Sequence, residues 1–137
     1  MHEFPSQDVE NAFMAFPDPV RSGLVTLRGV ILDVAAGLPQ VGQVEECLKG
    51  GRPTYQVPDN MAATMLQLGM VKPGQFALFG PSRVVSVFRT EHEDDFRFDG
   101  SQAIVFASEN EIRPEALSGL IDHALTYHLR KLISCWR

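Results

Sequence analysis

The sequence predicts an α+β fold: a mainly antiparallel sheet of about five strands, covered by N-terminal and C-terminal helices. Three observations carry the prediction. One long apolar stripe at helical spacing lies near the start of the chain and another near its end. Between them, short β-forming runs alternate with Pro- and Gly-rich turns. Those turns are too short for the crossovers a parallel sheet needs. With 137 residues the chain has the length of one domain, taken as residues 1–137. An apolar share of 45% and a charged share of 21% are those of a chain that builds a core.

Ser6-Gln7-Asp8 offers caps for a first helix carrying Val9, Phe13 and Phe16, and Pro17 ends it. Asp18 as N-cap and Pro19 at the first helical position open a second helix. Its stripe is Val20, Leu24, Leu27, Ile31 and Ala35, and Gly37 with Pro39 stops it. Gly23 lies beside the stripe, which points to close packing of a neighbour. Thr54–Val57 reads as a strand closed by Pro58-Asp59-Asn60, and Thr64, Leu66, Leu68 and Met70 alternate as a further strand. Lys72-Pro73-Gly74-Gln75 has the Pro and Gly of a type II turn, returning the chain as a strand from Phe76 to Phe79. Gly80-Pro81-Ser82 caps a helix from about Arg83 to Glu91 that turns Val84, Val87 and Phe88 inward. Phe96–Phe98, Asp99-Gly100 and Ala103–Phe106 form a hairpin whose loop length is left open. Pro114 opens the last helix, with Leu117, Leu120, Ile121, Ala124, Leu125 and Leu132 on its apolar face. Arg130 and Lys131 stand near its C-terminus, where the helix dipole favours positive charge.

A net charge of −5 opposes a nucleic-acid partner, because such binding rests on neutralising phosphates. No apolar run approaches the ~18 residues of a membrane span. No basic start followed by an apolar run marks a secretory signal. The expectation is a soluble cytoplasmic protein with no membrane partner, either monomer or homodimer. Cys47 and Cys135 are too far apart for a C-x-x-C pair and are expected to be free thiols.

His128 falls within the stripe of the last helix and is expected to be partly buried and neutral, with Tyr127 at the stripe's edge. A core histidine bonded to a neighbour is the ordinary reading; a ligand contact is the functional one. Glu45–Tyr55 packs acids, bases and a thiol into one strand with a Gly50-Gly51 elbow. Alternation puts Glu46, Leu48 and Gly50 on one face, and Glu45, Cys47 and Lys49 on the other. A charged edge strand is preferred here over a Glu–Lys pair in a pocket. Cys47 reads as a small buried apolar residue rather than a nucleophile, although nearby Lys49 is a cation of the kind that lowers a thiol pKa. Glu91-His92-Glu93-Asp94-Asp95 has the ligand types of an iron or manganese site, although a consecutive run spreads its side chains. Arg28 and Arg89 sit near apolar stripes, where each reaches a carboxylate or a pocket. No nucleophile elbow, zinc-protease motif, P-loop or dinucleotide fingerprint is present.

Three stretches resemble the YdhG-like family, a domain family of unknown function. Glu46-Cys47-Leu48-Lys49-Gly50-Gly51-Arg52-Pro53-Thr54-Tyr55 resembles its E-x-L-K-W-G-x-P-x-Y signature. Phe96-Arg97-Phe98-Asp99-Gly100-Ser101-Gln102-Ala103-Ile104-Val105-Phe106 is similar to its F-x-F-E-G-x-x-A-I-x-F hairpin. Leu125-Thr126-Tyr127-His128-Leu129-Arg130-Lys131 is similar to its C-terminal L-x-Y-H-x-x-K helix. With the opening helices, the resemblance covers nearly the whole chain. It implies an α+β fold and no accepted catalytic residues, and one branch of the family is described as frataxin-like iron chaperones. Gly50 stands where the family has Trp, which implies an altered or enlarged pocket if that Trp lines one.

The function expected is therefore non-catalytic binding of a small ligand or a protein partner between sheet and helices. Glu46, Lys49, Tyr55, Arg89, Tyr127 and His128 are the candidate ligand residues. The alternative is a frataxin-like iron-binding chaperone using Glu91, His92, Glu93, Asp94 and Asp95. An enzyme of unknown class is a third reading. No cofactor is expected, iron under the alternative excepted.

Overall fold

The computed structural model describes residues 3–58 and 65–135, the stretch 127–135 as backbone alone. Helix α1 spans Gln7–Met14, and the Ser6 hydroxyl caps it by accepting from Val9 N–H at 3.3 Å. Helix α2 spans Val20–Ala36. Pro19, not Asp18, occupies its N-cap, after a cis Asp18-Pro19 peptide, and no side chain caps it. Asp18 instead lies 3.5 Å from Arg21, one turn on. Gly23 meets its expectation: a Cβ there would stand 2.1 Å from Cζ of Phe76, so α2 packs backbone-to-ring against the sheet.

Six strands follow: β1 (Glu45–Lys49), β2 (Arg52–Gln56), β3 (Leu66–Lys72), β4 (Gln75–Phe79), β5 (Arg97–Asp99) and β6 (Ala103–Phe106). All neighbours are antiparallel, in the order β1-β2-β3-β4-β6-β5. One strand beyond the expected five arises because Gly50 and Gly51, at φ +60° and +78°, close a hairpin instead of bending a single strand. Helix α3 (Ser82–His92) lies between β4 and β5. It carries the chain past the next sheet position, so β5 forms the far edge and β6 returns to pair with β4. The β5–β6 loop is three residues, because Asp99 pairs with Ala103. Pro81 stands at the N-cap of α3 without a side-chain cap, and Val85 rather than Val87 turns inward. Val87 is 47% exposed.

Helix α4 spans Pro114–Cys135 and packs on α2 and α3. Leu24, Leu27 and Ile31 of α2, Leu117, Ile121 and Leu125 of α4, and Leu66, Leu68, Leu78 and Ile104 of the sheet form one core. That core lies on one face of the sheet. On the other face a small cluster of Ala77, Ala103 and Val105 contains strand residues only. Among the described residues, no helix is long and apolar enough to cross a membrane. The side chains of Tyr127, His128, Arg130, Lys131, Leu132 and Cys135, and the turn at Asp59-Asn60 with Thr64, lie outside the described residues.

Candidate functional site

The site grows out of strand alternation at the β1–β2 hairpin. Glu46 and Leu48 of β1 stand opposite Tyr55 and Pro53 of β2 on the helix-covered face. Glu45, Cys47 and Lys49 stand opposite Gln56, Thr54 and Arg52 on the open face, where Glu45, Lys49 and Arg52 are exposed and Thr54 and Gln56 are buried. On the covered side, Arg28 arrives from α2, four residues after Leu24 and three before Ile31, within the buried stripe. A guanidinium there cannot shed its proton and must meet a counter-charge.

Glu46 supplies it. Arg28 Nε donates to Glu46 Oε2 at 2.6 Å and Nη2 donates to Oε1 at 2.9 Å, a two-pronged pairing that matches guanidinium to carboxylate. The side chains are only 5% and 6% exposed. Nη2 also donates to the Glu3 carbonyl at 2.8 Å, and the Phe4 ring lies 4.2 Å from the guanidinium carbon. Tyr55, fully buried, donates its hydroxyl to Glu46 Oε2 at 2.5 Å. Burial, reinforced by the Glu46 charge, pushes the Tyr55 phenol far above its ordinary range, so its proton stays in place.

Glu46 also forms part of the wall of a surface groove of about 480 Å³. The groove is bounded by Glu3 and Pro5 before α1, Leu32 of α2, Gln43, Val44 and Glu45 at the entry to β1, and Pro58 after β2. Three glutamates line it, and among the described residues no lysine or arginine does. Arg28 cancels the charge of Glu46, which leaves Glu3 and Glu45 without an ionic partner among the described residues. Glu45 accepts only neutral hydrogen bonds, from Gln56 Nε2 at 2.6 Å and from Cys47 Sγ at 3.9 Å.

The remaining candidates lie elsewhere. Lys49 is exposed on the open face at the hairpin end of β1. Arg89 is exposed on α3, its guanidinium carbon 5.3 Å from the Phe98 ring at the opposite edge of the sheet. Five interstrand steps separate those edges, about 24 Å. The structure therefore unites Glu46 with Tyr55 and leaves Lys49 and Arg89 far apart. Gly50 sits in an exposed turn with open space around it, so no pocket is enlarged where the family has Trp.

The acidic run disperses. His92 Nδ1 lies 3.2 Å from Asp95, which also pairs with Arg113 at 3.7 Å. Glu91 and His92 join His123 around a hollow of about 240 Å³ between α3 and α4. Among the described residues, however, no three His, Cys, Asp or Glu side chains gather closely enough to hold a metal ion. Burial, then the charge of Glu45, pushes the Cys47 thiol above its ordinary range, the opposite of what a nucleophile needs.

Two features escape sequence reasoning. The groove draws on four separate segments and has no local signature. On the open face, Arg52 reaches across Gly69 to lie 4.5 Å from the Phe79 ring, a contact that needs the strand order to be known. The pairing of Arg28 was foreshadowed by its position in an apolar stripe. No family model, no curated protein and no solved structure matches the chain.

Proposed function

We propose that the chain is a non-catalytic binding protein that takes a small positively charged ligand, an alkylamine in chemical class, in the groove walled by Glu46. One observation carries the reading: a groove lined by three glutamates and, among the described residues, by no base, whose inner wall is locked by the Arg28–Glu46–Tyr55 network. The field in such a groove is negative and favours a cation. Leu32, Val44, Pro5 and Pro58 offer apolar contact for the methylenes of the ligand. The network supplies rigidity rather than reactivity, because Glu46 is engaged on both oxygens and Tyr55 holds its proton.

This is the non-catalytic binding expected from the sequence, with its site moved to the Glu46 end of β1. The iron-chaperone reading has less behind it, since Asp95 is committed to His92 and Arg113. The enzyme reading lacks an activated nucleophile at Cys47 or an acid–base group at Tyr55. The test is an amide NMR titration with a linear diamine and, separately, a dicarboxylate of equal length. The diamine is expected to shift the resonances of Val44, Glu45 and Glu46, and the dicarboxylate to leave them in place. Equal responses to both, or none at millimolar ligand, would overturn the proposal.

A further inference from the structure

Strand β1 is an edge of the sheet, with no strand on its outer side among the described residues. Gly50 and Gly51, both at positive φ, make the two-residue turn of a tight hairpin. The flanking pair Lys49 and Arg52 is then hydrogen-bonded, and by alternation so are Cys47 with Thr54 and Glu45 with Gln56. The backbone N–H and C=O groups of Glu46 and Leu48 therefore point away from β2. No hydrogen bond reaches any of these four groups among the described residues.

Charge usually keeps such an edge from pairing. Here the charges are arranged symmetrically about Cys47, with Glu45 two residues before it and Lys49 two residues after it. Lys49 also has no ion pair of its own among the described residues. We propose that β1 pairs with β1 of a second copy, antiparallel about a two-fold axis through Cys47, which joins two sheets edge to edge.

In that register Glu46 and the partner's Leu48 exchange both backbone hydrogen bonds, and the symmetric pair does the same. Glu45 faces the partner's Lys49 on the open side, and Lys49 faces the partner's Glu45. A shift of two residues one way sets Glu46 against the partner's Glu46. A shift the other way leaves Glu45 without a counterpart. Only the register centred on Cys47 satisfies backbone and charge together. Cys47 and the partner's Cys47 then form a non-hydrogen-bonded pair, with Cα atoms about 4.5 Å apart, within the reach of a disulfide. Five residues a side make a small interface, so the dimer is weak and concentration-dependent.

The inference does not rest on the ligand reading, and its test contains no ligand. The full chain carrying Cys135→Ser keeps Cys47 as its one thiol. Sedimentation equilibrium is expected to show a reversible monomer–dimer equilibrium. Diamide, which takes up the two electrons and two protons of two thiols, is expected to trap a disulfide-linked dimer. Glu45→Lys or Lys49→Glu alone opposes like charges at both symmetric positions and is expected to weaken the dimer about ten-fold. Glu45→Lys combined with Lys49→Glu restores the pairing and the affinity. Both positions are exposed, and circular dichroism verifies that each variant folds. A chain that stays monomeric at every concentration, or a dimer indifferent to either single charge reversal, would overturn the proposal.

Discussion

Glu45 and Glu46 are neighbours in the chain and meet opposite fates. Glu46 faces the helices, loses nearly all contact with water and is held by Arg28 and Tyr55. Glu45 faces the open side, stays exposed and accepts a single amide hydrogen bond from Gln56. The same contrast separates two arginines. Arg28 is buried and committed to a carboxylate, whereas Arg52 lies exposed along the Phe79 ring. A strand that alternates its side chains can build a rigid charged wall on one face and leave an adaptable surface on the other. The groove uses both, with Glu46 fixed and Glu3 and Glu45 free to meet a ligand.

Removing one partner of the buried pair is the strongest way to break this contrast. Arg28→Ala leaves Glu46 desolvated and is expected to cost about 3–5 kcal/mol in chemical denaturation. Combining Arg28→Met with Glu46→Leu removes both charges and is expected to recover most of that loss. Tyr55→Phe deletes one hydrogen bond to the carboxylate and is expected to cost about 1.5–3 kcal/mol by the same measurement.

The two faces also differ in how they treat an added methyl group. Gly23→Ala drives a Cβ into Phe76 and is expected to cost about 1–3 kcal/mol. Gly69→Ala meets the flexible Arg52 side chain at 3.4 Å and is expected to change stability by less than about 0.5 kcal/mol. Thermal melts of the two variants side by side test the difference.

The smallest effect concerns Glu109, in the short 3₁₀ turn Glu109–Glu111. Ser22 donates to its carboxylate at 2.6 Å and Thr26 donates to the other oxygen, which clips the turn to α2. These bonds hold the Glu109 carboxyl below its ordinary range. A depressed carboxyl stabilises the fold above its unfolded pKa, and the contribution fades as pH falls through its folded pKa. Since Glu109 is exposed, Glu109→Gln is expected to cost no more than about 1 kcal/mol at neutral pH and to flatten the acid limb of the stability profile.

Much of this was legible in the sequence where one physical rule decides the outcome. Alternation assigned Glu45 and Glu46 to opposite faces before any strand order was known. Gly23 beside an apolar stripe announced the close approach that Phe76 makes. Arg28 near that stripe pointed to a carboxylate or a pocket, and nothing local names Glu46, which lies eighteen residues away and reaches it through sheet register. The misreadings fall where two rules compete. Two glycines read as a bend within one strand are also what a tight hairpin turn demands, and the turn wins because it pairs β1 with β2. Asp18 is a good helix cap by residue type, yet the helix begins one residue after Pro19. Lys49 and Arg89 looked like neighbours because nothing local shows that α3 sends β5 to the far edge.

Calorimetric titration of a linear diamine into the wild-type chain and into Gln43→Lys tests the central claim most directly. Gln43 is exposed on the groove wall, so the substitution plants a cation among the carboxylates without touching the buried network. Saturable heat for the wild type, weakened at least ten-fold in the variant and by added salt, is the predicted result. Binding of equal strength in both chains would place the ligand elsewhere and contradict the account.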